Sequence, residues 1–246
     1  MLRRPERIHS TDEPQPIEVI YEDQDVIAVN KPGGLFVHPT NLDRSEQDSV
    51  VKRLRDTLNM QVSPVHRLDR PTSGTLLLAK HAESLKFMNE QFATHKVRKT
   101  YLALVRGWIN EHGLIDYPLK HQTKDQLQQS CTEWWRIAIG EFPVPTPPHS
   151  TSRFSLVQVN PQTGRWHQIR RHFAHLRHPV VGDTTHGDGH QNRILRQILP
   201  PARLFLHALE LRCRIPRMSD RELIIQSPLP GWFQHFKAQF TSHSKD

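Results

Sequence analysis

The sequence predicts an α+β fold in which most strands pair antiparallel. Three observations carry this. Residues 17–34 and 203–227 each read as apolar runs joined by a turn, the pattern of a hairpin. Between them, segments with apolar residues three or four apart read as amphipathic helices. The glycine patterns of dinucleotide-binding and P-loop folds are absent, and no internal repeat is visible.

The elements follow in order. Residues 1–16 are polar, carry Pro5, Pro14 and Pro16, and read as a flexible tail ahead of one domain over 17–246. IEVIYEDQDVIAVNKPGG gives two strands around an acidic turn at Glu22–Asp25, stopped by Pro32, Gly33 and Gly34. SEQDSVVKRLRDTLNM places Val50, Leu54 and Leu58 on one helical face, with Asp48 or Ser49 as cap. Thr75–Ala79 is continuous and apolar, as a buried strand requires. Leu85, Met88 and Phe92 mark a second helix. TYLALVRGWI alternates, with Tyr101, Ala103 and Val105 on one side and Leu102 and Leu104 on the other.

Residues 116–150 carry five prolines, two tryptophans and a polar run, KHQTKDQLQQS, and read as a long excursion or insertion. SRFSLVQVNPQTGRWHQIRRHFAHLRH reads as a strand, a Pro/Gly turn and a helix from about Trp166. RILRQIL gives a short helix. RLFLHALELRCRI and RELIIQS pair across a turn at Ser219 and Asp220, and GWFQHFKAQF closes the chain as a helix.

The formal charge of +8 in 246 residues favours a polyanionic partner. Its distribution is more telling than its size. From Ser150 to Gly182 there is no acid and no lysine, only Arg153, Arg165, Arg170, Arg171 and Arg177 with His167, His172, His175 and His178. Planar guanidinium groups suit structured contact with phosphates and bases. No apolar run is long enough to cross a bilayer, the N-terminus lacks the apolar core of a secretory signal, and two cysteines make no disulfide framework. A cytoplasmic protein with no membrane association is expected.

Three groups are candidates for chemistry. Asp69 lies in VHRLDRPTSGTLLLAK between Arg67 and Arg70. It is either a turn aspartate or a carboxylate held ionised by its neighbours, hence a nucleophile or base. His172, His175 and His178 could line one helical face. Their spacing matches no zinc pattern and the interleaved arginines repel a cation, so RNA contact or polar core positions fit better and no metal is expected. Tyr101 is either a strand aromatic or a ring that stacks on a base.

Five collinear motifs carry a resemblance. HRLDRPTSG (66–74), NKPGGLFVHP (30–39), VRKTYLALVRG (97–107), TGRWHQIRRHFAHLRHPVVGD (163–183) and RLFLHA (203–208) resemble the motifs of the RluA-type pseudouridine synthases. The run RRHFAHLRHPVVGDTTHGDGHQN resembles the subgroup that modifies uridine 65 of tRNA. No S4-type RNA-binding module, which other members carry, is expected ahead of Ile17.

The resemblance implies the pseudouridine-synthase catalytic fold: a central, mostly antiparallel sheet with flanking helices and an RNA-binding cleft. It implies isomerisation of a uridine without cofactor, by a monomer acting on RNA, with tRNA ahead of large-subunit ribosomal RNA. It makes Asp69 the catalytic carboxylate, Tyr101 the ring against the flipped base, and Arg170 the partner of Asp69. Arg67 is expected to occupy the place the base leaves. Arg70, Arg165, His167 and Arg171 are expected to contact RNA, and Leu77 or a neighbour to floor the pocket. A non-catalytic RNA-binding module and a histidine-based metal-dependent nuclease are the rival readings.

Overall fold

The computed structural model describes residues 16–38, 48–146, 149–195, 204–218, 220–231 and 233–234. The tail to residue 15, Ser219, the end of the RILRQIL segment and most of the expected closing helix lie outside them.

A ten-stranded sheet organises the molecule. Strands β1 (Glu18–Glu22) and β2 (Val26–Lys31) form the expected hairpin. Its turn is closed by Asp23, whose carboxylate accepts the backbone N–H groups of Asp25 and Val26. Helix α1 (Val50–Leu58) follows, capped by Ser49, whose hydroxyl accepts the Lys52 N–H. Then come β3 (Ser63–Pro64), β4 (Ser73–Ala79), α2 (Ala82–Ala93) and β5 (Arg98–Arg106). After these lie β6 (His112–Asp116), the small hairpin of β7 (Leu119–Lys120) and β8 (Leu127–Gln128), and β9 (Cys131–Phe142). The chain continues through β10 (Ser152–Pro161), α3 (Gln168–His175), α4 (Gly189–Leu195), β11 (Leu206–Cys213) and β12 (Leu223–Gln226).

The sheet order is β1-β2-β4-β11-β5-β10-β9-β6, with β12 beside β11 and β3 beside β4. The pairings are antiparallel except that of β11 with β4.

Strand β4 is buried along its whole length because both of its faces are covered. Leu76 and Leu78 meet Val50 and Leu54 of α1, while Leu77 and Ala79 meet Met88 of α2. Leu77 is fully buried in the α2 cluster. Leu58 also departs from expectation: it is exposed at the end of α1, where the chain turns through Asn59 in the left-handed conformation.

Residues 116–150 hold more regular structure than their prolines and polar run suggest. Residues 131–142 form β9, twelve residues long, paired along its length to β10 and flanked by β6. Thr132, Trp134 and Ala138 are buried, and Trp134 packs edge-on against Phe173 of α3. The prolines lie outside the strand: Pro118 precedes β7, and Pro143 and Pro145 follow β9. There they cost no ladder hydrogen bond.

Gly74 governs the parallel contact of β4 with β11. Its φ is +114°, and a Cβ there would lie 2.2 Å from the Ala208 carbonyl oxygen. Only glycine lets β4 and β11 approach at Ser73–Gly74 and His207–Ala208. Ser73 and His207 seal the contact with a buried 2.9 Å hydrogen bond.

Candidate active site

Asp69 stands in the loop that enters β4, and that loop is braced from behind. The backbone N–H of Thr72 bonds back to the Asp69 carbonyl (3.0 Å), and Gly34 N–H bonds to the Arg70 carbonyl (2.8 Å). A Cβ on Gly33 would lie 2.9 Å from the Pro71 carbonyl oxygen, so the NKPGG turn fits against the loop only as glycine. Lys31 locks the two together. Fully buried, its ammonium donates to the carbonyls of Pro32 (2.9 Å), Leu35 (2.7 Å) and Arg70 (3.0 Å), one for each N–H. Burial lowers its pKa to about 7, and the nearby Asp69 charge opposes that shift.

The carboxylate itself is 22% exposed and points to α3. Arg170 Nη1 donates to Asp69 Oδ2 at 3.1 Å. The same guanidinium grips Asp183 with two bonds of 2.8 Å, from Nε and Nη2. Asp183 is buried and also accepts the backbone N–H groups of Thr185 and His186. Burial pushes Asp183 upward, but Arg170 and these amides outweigh it and hold its carboxyl below the usual range. One planar cation thus ties the exposed acid to a buried one, a bidentate geometry that lysine cannot copy.

Helix α3 is held firmly enough to aim that cation. Gln168 accepts the Arg165 N–H and the Thr163 hydroxyl while donating to the Cys131 carbonyl and the Thr132 hydroxyl. His172 is fully buried and bonds to Thr132, Ser130 and the Tyr117 carbonyl. His175 stacks on Tyr117, and His178 bonds to the Arg106 carbonyl. The three histidines of the sequence cluster therefore serve three different contacts. Among the described residues no group of three or more His, Cys, Asp or Glu side chains is placed to hold a metal ion.

The structure brings together Asp69, Arg170, His167 and Tyr101. His167 Nε2 lies 3.9 Å from Asp69 Oδ2. Tyr101 sits between the hydrophobic clusters of α3 and α1, and burial, then the Asp69 charge, raises its phenol above the ordinary value.

The sequence neighbours of Asp69 do not make the expected pairing. Arg70 Nε donates to the Gly34 carbonyl and its guanidinium lies over the Phe36 ring, while Arg67 is exposed. The hydrogen-bonded charge partner of the acid comes from 101 positions along the chain. Arg165 and Arg171 reach the carbonyls of Gln129 and Lys120, clasping the β7–β8 hairpin to α3. Sequence reasoning missed Asp183, Lys31 and His186. Asp183 had a signal: it is the first acid after the 32 acid-free residues that follow Ser150.

Three imidazoles shielded from water, His207 fully and His66 and His167 partly, give an acid limit to stability. Burial lowers His66 to about 3, and His167 and His207 to about 4. His66 must stay unprotonated on Nε2, which accepts the Leu77 N–H. Folded values below the usual 6.5 mean that the unfolded chain binds protons the folded one refuses. Their contribution is complete above about pH 6.5 and is lost as pH falls toward 4. The urea midpoint should drop over that window by an amount equivalent to a few kcal/mol. A flat midpoint from pH 7 to 4 would contradict it.

A mostly antiparallel α+β sheet, with a guanidinium-bonded carboxylate set among arginines, is the pattern of the enzymes that rearrange uridines in RNA. The chain belongs to the RNA pseudouridylate synthase family, whose profile matches residues 25–175. It is a pseudouridine synthase of the RluA type, an isomerase. It is similar to tRNA pseudouridine synthase C of Vibrio cholerae, 43% identical with 91% of this chain and 96% of the relative covered. To that of Haemophilus ducreyi it is 44% identical, with 94% and 98% covered. Among solved structures it resembles human RNA Pseudouridylate Synthase Domain Containing 1, with a TM-score of 0.73, 27% identity, and 94% of this chain and 91% of that one covered. No helix among the described residues is long and apolar enough to cross a membrane.

Proposed function

We propose that this enzyme converts a uridine of tRNA, uridine 65, to pseudouridine with Asp69 as its one catalytic carboxylate. The observation that carries the reading is the clamp: a partly open acid bonded to a buried arginine that a second, buried acid holds in place. Glycoside hydrolysis uses two reacting carboxyl groups with water as a reactant. An isomerisation that returns the base to the same sugar needs one, and Asp183, with no exposed side-chain surface, is placed to aim Arg170 rather than to meet substrate. The names of the relatives support tRNA as the substrate.

The target base must leave its stack, at a cost of a few kcal/mol. Arg67, exposed beside Asp69, takes its place in the RNA, and Tyr101 packs against the extruded ring. Asp69 then acts on the nucleoside while Arg170 fixes the orientation of the carboxylate. Arg70, Arg165, His167 and Arg171 border the same loop and helix and contact RNA. The domain from residue 17 works as a monomer and without a cofactor.

Tritium release from C5-labelled uridine in a tRNA transcript, with primer-extension mapping of the product, tests this. One tritium released per tRNA, mapped to uridine 65, is the expected result. Release from ribosomal RNA alone would move the substrate assignment, and release from neither would remove the reading.

A further inference from the structure

We propose that His167 and His186 form a proton path that takes the hydrogen from uracil C5 after the new carbon–carbon bond is made. The inference rests on the reading of Asp69 as the reacting carboxylate. The chemistry demands such a path. C5 bonds to C1′ with the electrons of its double bond, leaving C5 with both a hydrogen and the sugar. That hydrogen must depart as a proton, its bond pair restoring C5=C6, while N1 gains a proton. Asp69 is already committed to the sugar or the ring.

The group beside Asp69 with an available nitrogen is His167. Its Nε2, 3.9 Å from Asp69 Oδ2, has no hydrogen-bond partner among the described residues. Its Nδ1 lies 2.9 Å from His186 Nε2. The placement is enforced. His167 adopts the left-handed conformation (φ 51°, ψ 30°), which histidine tolerates better than most residues but at a cost. Trp166 stacks on the His167 ring at 3.9 Å, and the His186 ring stands edge-on to it. The His186 backbone is tied to Asp183, the same carboxylate that holds Arg170.

Both rings are kept neutral. Burial, with Arg170 and His186 adding to it and Asp69 and Asp183 opposing, lowers His167 to about 4. Burial, Arg170 and Arg171 likewise lower His186 against the pull of Asp183 and Asp69. A neutral pair can pass a proton without holding one. The C5 proton goes to His167 Nε2, the Nδ1 proton of His167 to His186 Nε2, and the Nδ1 proton of His186 to water. The rings reset when His167 Nε2 gives its proton to N1, His186 Nε2 returns one to His167 Nδ1, and water replaces the one on His186 Nδ1. Protons and electrons balance, and no charge remains.

The test is single-turnover product formation on tRNA carrying 5-protio- or 5-deuterouridine. Asparagine accepts the left-handed backbone, so His167→Asn is the first variant. His186→Phe, which keeps a ring but no nitrogen, is the second. Each should slow product formation, His167→Asn by about 10²-fold or more. Each should also turn a deuterium effect near unity into a clear primary one, and His186→Phe should do so with RNA affinity unchanged. Wild-type rates, or slow rates without the deuterium effect, would overturn the relay. If His167→Asn does not fold, His186→Phe alone decides. Failure of the underlying reading is separable: Asp69→Asn would then retain turnover, whereas a dead Asp69→Asn beside relay variants lacking the isotope signature removes only the relay.

Discussion

Asp69→Asn is expected to abolish pseudouridine formation while leaving RNA binding intact. The amide matches the carboxylate in shape, so the loop braced by Lys31 and Gly34 has no reason to move. Arg170 keeps both bonds to Asp183 and is not left as an unpaired buried cation. Removing one negative charge from a surface that meets phosphates should leave affinity level or slightly tighter. What disappears is the only group in the reading that attacks the nucleoside or takes a proton from the sugar. Losing such a group costs at least about 10⁴-fold in rate. Single-turnover tritium release, beside a filter-binding isotherm, measures both halves. Turnover within ten-fold of wild type would return Asp69 to the status of a turn residue and favour a passive RNA-binding protein.

The second large effect is expected at Arg170. Lysine keeps the charge but loses the fork, and the fork makes three bonds to two acids: Nε and Nη2 to Asp183, and Nη1 to Asp69. An ammonium cannot satisfy Asp183 bidentately and still reach Asp69. Arg170→Lys should therefore fold, at a cost of about 1–3 kcal/mol for an under-bonded buried acid. Activity should fall by about 10²-fold or more because Asp69 is no longer aimed. Arg170→Met strands Asp183 without a cation and should cost about 3–5 kcal/mol. Urea unfolding and single-turnover rates separate the two consequences. If Arg170→Lys matched wild type in rate, the clamp would be a structural feature without bearing on the chemistry.

Much of this was legible in the sequence because local rules agreed with the fold. The first hairpin, α1 with its Ser49 cap, the buried run of β4 and the alternation of β5 all follow from periodicity and turn chemistry. β9 was not legible, for physical reasons. Trp134 and Ala138 are an even number of positions apart yet join different hydrophobic clusters, because the pairing with β10 shifts register between Leu156 and Val157. Its exposed side carries Trp135 and Ile137, which blur the contrast further. At the site, the motif pointed to Asp69, and the arginine bonded to it is neither of its two sequence neighbours. Side-chain direction out of a turn is set by backbone geometry that adjacency does not encode. Asp183 was hidden because its role exists only relative to Arg170, thirteen positions away.

The long reach of these contacts bears on how the protein is made. Asp69 and Arg170 are separated by 101 positions, and Ser73 and His207 by 134. Chains emerge N-terminus first, and contacts between distant segments form late. A ribosome that has released the first 150 residues exposes a finished carboxylate with no guanidinium to orient it and no β11 to seat its strand. On the proposed chemistry, half-made chains in a cell crowded with RNA stay silent until the last strands dock.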